Sequence, residues 1–199
     1  MWKRILTMVM TLVAAATFAG AQGTSRPASP GGSAETQLGK NGKWIGITYS
    51  RPIKRGRDVW GGPSYGKDVL LQDDAKVWRA GANVSTRLKT EVPLQIGGKT
   101  VMAGEYSLFI DAKSPTDWTL IVSSWAAQQE YDPNNKAALW GSFGYTPDKD
   151  VARVAMKIAK LPMSIDELTW NFADVTTAGG KLVLMWDTVA ASAPFTVSK

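Results

Sequence analysis

The chain has 199 residues, with 23 Lys and Arg against 17 Asp and Glu, so its formal net charge is +6. This length fits one domain with a sizeable core, and a composition of 44% hydrophobic and 20% charged residues is that of a globular protein. The absence of Cys and His excludes a thiol nucleophile, a Ser–His–Asp triad, a disulfide framework and the usual zinc sites. A metal would have to rely on oxygen ligands, and we predict no cofactor and no metal site.

The first 21 residues have the features of a secretory signal peptide. Lys3 and Arg4 precede an apolar stretch over residues 5–18, and Ala19-Gly20-Ala21 supplies the small residues that signal peptidase requires. The apolar stretch is short for a membrane span, and no later stretch approaches the roughly 20 apolar residues that a span needs. We predict cleavage after Ala21, no stable membrane span afterwards, and an exported protein that is periplasmic or secreted.

Residues 22–42 are predicted to be a flexible leader because they are rich in Gly, Ser and Pro, and residues 43–199 are predicted to be a single β domain. From Trp44 onward, apolar residues recur with a period of two, which is typical of strands. Gly97-Gly98 between two short apolar segments predicts a tight hairpin. The other predicted strands cover residues 45–49, 84–90, 106–110, 118–122, 151–158, 168–173, 182–186 and 195–197.

Short strands separated by glycine turns predict an all-β fold, a single-domain antiparallel β-sandwich of the jelly-roll-like kind. The segments 118–122 and 182–186 have apolar residues on both faces, as expected of strands buried between two layers. Residues 126–139 lack the alternation and contain the turn sequence Asp132-Pro133-Asn134-Asn135, so a short helical turn is predicted there.

The charge is unevenly distributed along the chain. Residues 22–57 contain seven basic residues and one acidic residue, Glu35, whereas residues 58–199 contain 14 basic and 16 acidic residues. A basic end on a nearly neutral body suits an anionic partner, although a solvated basic strand and turn has the same composition. Nucleic acid is not predicted as a partner, because the charge forms no long stripe and the protein is expected to be exported.

Several motifs between Trp44 and the C-terminus resemble one known family. They are Ser50-Arg51-Pro52, Lys54-Arg55-Gly56-Arg57, Trp60-Gly61, the block Val77-Trp78-Arg79-Ala80-Gly81-Ala82-Asn83, Ile96-Gly97-Gly98-Lys99, Ala103-Gly104-Glu105-Tyr106-Ser107-Leu108-Phe109 and Gly180-Lys181-Leu182-Val183-Leu184-Met185-Trp186. Together they resemble the bacterial exported domain-of-unknown-function family 2911. The resemblance implies a compact all-β exported domain and implies no activity.

The segment around Trp78 and Arg79 is the candidate binding site. In an alternating strand these two side chains point to opposite faces, so that Trp78 joins the core and Arg79 faces solvent or a carboxylate. Asn83 after Gly81 suits a left-handed or side-chain-capped turn. Arg79 can also act as a bidentate clamp for an anion. The residues predicted to bind the ligand are Arg51, Arg57, Trp60, Arg79, Asn83 and Thr86.

Eight Trp residues remain after Trp2 is removed with the signal peptide. Trp118, Trp170 and Trp186 lie in strand patterns and are predicted to be core residues. Three others lie near loop signals, where they either pack or face a ligand such as a sugar ring: Trp60, Trp125 and Trp140. The function predicted from these features is non-catalytic binding of a glycan or another polar or anionic envelope ligand.

Two alternatives belong to other functional classes. One is a glycosidase-like hydrolase with paired carboxylates, for which residue type alone makes candidates of Asp58, Asp73, Asp74, Glu91 and Glu105. Asp73 and Asp74 are adjacent and diverge in an extended chain, so they do not form the pair by themselves. The other alternative is a structural envelope protein that contacts other proteins through its sheet edges.

Overall fold

The computed structural model describes residues 27–62, 65–71 and 75–198. The predicted signal peptide over residues 1–21 and the beginning of the predicted leader lie outside these residues. Within the described part of the chain, almost all regular structure is β, and no helix is long and apolar enough to cross a membrane. The predicted all-β antiparallel sandwich is confirmed.

One layer of the sandwich is a six-stranded antiparallel sheet, and its strands follow the order β1-β2-β3-β6-β7-β10. The period-two segments of the sequence form most of it, because alternation gives a strand one face for the core and one for solvent. The strands are β1 (Gly31–Gln37), β2 (Trp44–Ser50), β3 (Thr86–Thr90), β6 (Gly104–Ser114), β7 (Asp117–Ser123) and β10 (Asp150–Ala155).

The second layer is a four-stranded antiparallel sheet in the order β11-β12-β4-β5. Its strands are β4 (Leu94–Ile96), β5 (Lys99–Val101), β11 (Lys157–Thr176) and β12 (Gly179–Val197). Gly97 and Gly98 both have positive φ, 57° and 74°, and form the predicted tight hairpin between β4 and β5. The pairing of β11 with β12 shifts register on either side of Ile165, which pairs with Asp187.

Part of the segment predicted as a flexible leader is a strand. Over Gly31–Gln37 the backbone pairs in full register with β2, from Gly31 opposite Ser50 to Gln37 opposite Trp44. The prediction of flexibility was wrong for these seven residues. Backbone groups make the hydrogen bonds between strands, so a segment with few large side chains can still form an edge strand.

The predicted helical turn over residues 126–139 is also wrong. Two short segments, β8 (Ala126–Ala127) and β9 (Ala138–Leu139), pair in parallel and enclose a loop. The buried side chain of Gln128 holds this loop: its amide nitrogen donates to the carbonyl groups of Asp132, Asn135 and Ala138, and its amide oxygen accepts from the backbone N–H of Asp132. The described helical segments lie elsewhere, as a single turn α1 (Lys67–Leu70) and a 3-10 turn over Pro147–Lys149.

The core lies between the two sheets and contains a group of tryptophans. Trp78 and Trp186 stack with ring centroids 6.2 Å apart, and Trp60 contacts both of these rings as well as Trp118. Trp118, Trp170 and Trp186 are buried, as predicted. We refer to Trp60, Trp78, Trp118 and Trp186 below as the tryptophan cluster.

A second, smaller group of buried residues lies on the outer face of the six-stranded sheet. Phe109 and Ile121 point away from the main core and are covered by the segment 124–149, which contributes Leu139 and Tyr145. The prediction that 118–122 is buried on both faces is therefore confirmed. It was wrong for 182–186, where Val183 and Met185 are only half-buried on the outer face of the four-stranded sheet.

Candidate functional site

The turn that follows Trp78 is fixed to both sheets. The backbone of Trp78 exchanges two hydrogen bonds of 2.8 Å with Ile110 of β6. The chain then reverses through Ala80 and Asn83, whose φ values are both 55°, so the left-handed turn predicted at Asn83 is confirmed. The carbonyl group of Ala80 accepts hydrogen bonds from Thr86 Oγ1 and from Trp170 Nε1, which tie the turn to β3 and β11.

Arg79 lies inside this turn. Only 7% of the residue is exposed, and its Nη1 donates a hydrogen bond of 2.8 Å to the carbonyl group of Asn83. Burial lowers the pKa of the Arg79 guanidinium, but an arginine in a protein stays protonated at neutral pH. Arg79 was predicted to face solvent or a carboxylate, and the first of these alternatives is wrong, because the turn folds around the side chain. A permanent positive charge is held at a defined place.

The basic loop over residues 51–57 approaches the same turn. Its backbone is joined to β11 by a hydrogen bond of 2.7 Å from Lys54 N to the carbonyl group of Asp166. The loop then turns through Arg55 and Gly56, both with positive φ, and presents Arg57 at the surface. Arg57 donates from Nε and Nη2 to the carbonyl groups of Lys54 and Ile53, so its guanidinium is held close to the loop.

A partly buried ion pair anchors the loop at its centre. Lys54 Nζ lies 2.5 Å from Oδ1 of Asp187, which also accepts a hydrogen bond of 2.7 Å from Ser164 Oγ. Burial by itself raises the pKa of the Asp187 carboxyl. The hydrogen bonds from Lys54 and Ser164 and the charge of Lys54 outweigh burial, so that the pKa is lowered. Asp187 has a φ of 51°, a conformation that Asp tolerates better than most residues.

The loop and the turn enclose a cleft of about 210 Å³. Arg57, Arg79 and Asn83 line it, and the edges of Trp78 and Trp186 reach it from the core. The described lining contains two guanidinium groups. Their positive charge favours an oxyanion such as a carboxylate or a phosphate. We call this site the arginine cleft.

The structure brings together three of the six predicted binding residues, namely Arg57, Arg79 and Asn83. The other three have structural contacts. Arg51 forms an ion pair of 3.0 Å with Glu167, and Thr86 is fully buried where it donates to the carbonyl group of Ala80. Trp60 packs in the tryptophan cluster and does not line the arginine cleft.

Sequence reasoning missed two residues of this site, Trp186 and Gly141. Trp186 was assigned to the core only, yet its edge reaches the arginine cleft. Gly141 lies on the other side of Arg79, where an added Cβ would come within 2.5 Å of Arg79 Nη1. The run of apolar residues that ends at Trp186 indicates burial only. No local pattern indicates that Gly141 lies beside Arg79, which is 62 positions earlier in the chain.

Several candidate carboxylates lie on the outer face of the six-stranded sheet. Glu91 and Glu105 line a cavity of about 480 Å³ together with Glu35. Glu105 lies 3.8 Å from Arg87 Nη2 and 3.7 Å from Lys89 Nζ, and Glu91 accepts a hydrogen bond from the backbone N–H of Trp44. Such contacts are ordinary for a solvated sheet face and do not favour a catalytic role.

Of the three remaining candidate carboxylates, the structure describes only Asp58. Asp58 is exposed in the loop that follows Arg57, and Asp73 and Asp74 lie outside the described residues. Among the residues that the structure describes, no group of three carboxylates is arranged to hold a metal ion.

The segment 124–149 carries the two other loop tryptophans. Trp125 is half-buried, donates from Nε1 to the carbonyl group of Thr146, and has Lys149 Nζ 3.9 Å from its ring centroid. Trp140 is half-buried beside Tyr131, with ring centroids 6.2 Å apart. The structure thus places Trp140 at the surface in contact with another aromatic ring, while Trp125 packs against its own segment.

The comparisons with known proteins agree with the resemblance seen in the sequence. The model of a family described as "Protein of unknown function (DUF2911)" matches residues 29–195. This match begins just before β1 and ends within β12, so it covers both sheets and the arginine cleft. No curated protein and no solved structure matches the chain.

Proposed function

Because the chain belongs to the DUF2911 family, whose description assigns no activity, we propose a function from the geometry of its own surface: a non-catalytic binding module for an anionic ligand. The observation that carries the proposal is the pair of guanidinium groups, of Arg57 and Arg79, that line one cleft. Two charged donors that converge on one small volume match the planar or tetrahedral oxygens of a carboxylate or phosphate.

The surroundings of the arginine cleft support a preformed site. Arg79 is held by the carbonyl group of Asn83, and the loop that carries Arg57 is held by the ion pair of Lys54 with Asp187. A cation that is fixed before the ligand arrives loses little side-chain entropy on binding. Arg57 at the rim and Arg79 inside are therefore expected to donate hydrogen bonds to one oxyanion group from two sides.

We place the ligand in the cell envelope or outside it, since the first 21 residues read as a signal peptide. The oxyanion is then a group on an envelope glycan, a lipid or a small metabolite. Mass measurement of the exported chain tests this part of the proposal. A mature protein that begins at Gln22 supports it, and an uncleaved chain found only in the cytoplasm overturns it.

Titration of the purified protein with inorganic phosphate and with acetate tests the arginine cleft. Tryptophan fluorescence is a suitable readout, because Trp78 and Trp186 reach the cleft. Arg57→Gln is expected to weaken phosphate binding by about tenfold, the equivalent of one lost charge-assisted hydrogen bond. Arg79→Lys is expected to weaken it further, because an ammonium group cannot make the bidentate contact.

Arg55→Gln is the matched control. Arg55 is an exposed arginine of the same loop, with its Nη2 bonded to the carbonyl group of Ala28, and it does not line the arginine cleft. This variant removes the same charge two residues away, so it should leave the affinity nearly unchanged. Equal losses in Arg55→Gln and Arg57→Gln would show only general charge attraction and would overturn the proposed site, as would a flat titration of the wild-type protein.

A further inference from the structure

Four large aromatic side chains line a second cavity, on the segment 124–149. Tyr131 is 59% exposed and Phe143 is 58% exposed, whereas Trp125 and Trp140 are half-buried. The cavity has a volume of about 170 Å³, close to that of one hexose ring. We call this site the aromatic cavity. Exposed rings grouped around one cavity are uncommon on a soluble domain and typically mark a binding surface.

The segment that carries these rings is held firmly to the domain. Gln128 makes four hydrogen bonds to the backbone of the loop, and Ser85 Oγ donates to the carbonyl group of Gly141. Tyr145, next to this part of the loop, is buried against Phe109. The backbone under the aromatic cavity is therefore fixed. The rings are exposed on an ordered loop.

Polar groups beside the rings retain hydrogen-bonding capacity. Asp132 uses Oδ1 to accept from the N–H of Asn134, and Asn135 uses Oδ1 to accept from the N–H of Ala137. Among the described residues, Oδ2 of Asp132 and the amide nitrogen of Asn135 have no hydrogen-bond partner. With Lys136 also in the lining, the charges of the cavity balance. The site offers flat apolar faces, an acceptor, donors and no net charge.

From this combination we propose that the aromatic cavity binds a neutral saccharide unit. A pyranose ring has an apolar C–H face, which packs on an aromatic ring, and hydroxyl groups at its edge, which hydrogen-bond to a carboxylate and an amide. A partner protein or an anionic ligand is less well matched, because the cavity is small and its charges balance. The proposal is independent of the arginine cleft and does not rest on it.

Binding of glucose, N-acetylglucosamine and their oligosaccharides to the full protein tests the proposal, with ligand-observed NMR and calorimetry as readouts. Tyr131→Ala and Phe143→Ala are each expected to weaken binding by about tenfold, the loss of one stacking contact. Both side chains are mostly exposed, so the variants should keep their fold, which a thermal melt verifies. Tyr131→Phe keeps the ring and should retain most of the affinity.

Two variants serve as controls. Trp44→Ala removes an aromatic ring that is 47% exposed on the outer sheet face, and Arg57→Gln removes a charge at the arginine cleft. Both should bind the saccharide as the wild type does. No saturable binding of any sugar, or an equal loss in Trp44→Ala, would overturn the proposal. So would self-association of the wild type that Tyr131→Ala abolishes, because the aromatic cavity would then be an interface between two copies.

Discussion

Gly141 lies directly against the guanidinium group of Arg79: a Cβ atom at Gly141 would lie 2.5 Å from Nη1 of Arg79 and 3.1 Å from the carbonyl oxygen of Asn83. Gly141 also has a φ of 61°, a conformation that side chains rarely adopt. The segment 124–149 therefore closes one side of the pocket that buries Arg79. The position of this cation depends on the absence of a side chain at residue 141.

Gly141→Ala is expected to displace Arg79 and to lower the affinity of the arginine cleft for phosphate several-fold. It should also lower the free energy of unfolding by about 1–2 kcal/mol, because alanine is strained at positive φ. Gly144→Ala is the matched control: its φ is 76°, and its added Cβ would meet only Leu139, at 3.8 Å. The control should lose similar stability and keep its affinity. Equal affinity in both variants would contradict the role of Gly141.

The ion pair of Lys54 with Asp187 makes a pH-dependent contribution to stability. The pKa of Asp187 is lowered in the folded state, whereas an unfolded Asp has a pKa of about 3.9. The contribution is therefore complete at pH values above the unfolded pKa and is lost as the pH falls through the folded pKa. Asp187→Asn removes it and still tolerates the left-handed backbone at this position.

Urea unfolding of the wild type and of Asp187→Asn between pH 7 and pH 2.5 measures this contribution. The wild type should be the more stable protein at pH 7, and the difference should narrow as the pH falls below about 4. A difference that stays constant over this range would show that the charge of Asp187 does not stabilise the loop.

The strands with strict alternation could be predicted from the sequence, because every second side chain points into the core and the others point to solvent. Ile45 and Ile47 are buried as the period of two requires, and the hairpin at Gly97-Gly98 is specified by two residues that accept positive φ. Strand β1 carries no such signal. Its small and polar residues are compatible with a leader, and only the pairing with β2 makes it a strand.

Half of the candidate site could be predicted. The other half depends on contacts between residues that are far apart in the sequence, which a local pattern does not reveal. The left-handed turn at Asn83 is local and was predicted. The burial of Arg79 depends on Gly141, and the packing of Trp60 depends on three other tryptophans from distant parts of the chain. The sequence pattern indicates that Trp60 lies near a turn, but it does not indicate whether the Trp60 side chain points to the core or to solvent.

Gln128 is expected to be essential for the loop between β8 and β9. Its side chain is buried and satisfies three carbonyl groups and one N–H of the loop backbone. Gln128→Ala leaves these groups to find water or remain without partners, so the free energy of unfolding should fall by roughly 1–3 kcal/mol. Sugar binding at the aromatic cavity should fall as well. Gln129→Ala, at the exposed neighbour, should change neither quantity.

Hydrogen exchange measured by mass spectrometry verifies the location of this effect. Gln128→Ala should speed exchange in the loop over residues 128–137 and leave β6 and β7 protected, since the effect is confined to one surface segment. Unchanged exchange in the loop, or loss of protection throughout the sandwich, would contradict the local role assigned to Gln128.

Trp60 and Trp78 differ in what their indole nitrogens contact, although both belong to the tryptophan cluster. Trp78 Nε1 donates a buried hydrogen bond of 3.0 Å to the carbonyl group of Gly81. Trp60 Nε1 is buried without a hydrogen-bond partner among the described residues. Trp78→Phe removes ring volume and leaves the carbonyl group of Gly81 without that donor, whereas Trp60→Phe removes ring volume and a buried donor that has no acceptor.

Chemical unfolding of the two variants should therefore show a larger loss of stability for Trp78→Phe, by about 1 kcal/mol or more. The substitutions are identical in chemistry, so each is the control for the other. Trp78→Phe should also weaken phosphate binding, because the hydrogen bond to Gly81 holds the turn that positions Arg79 and Asn83. Equal losses of stability would show that the turn does not depend on the indole nitrogen of Trp78, and the arginine cleft would then be positioned by Thr86 and Trp170 through the carbonyl group of Ala80.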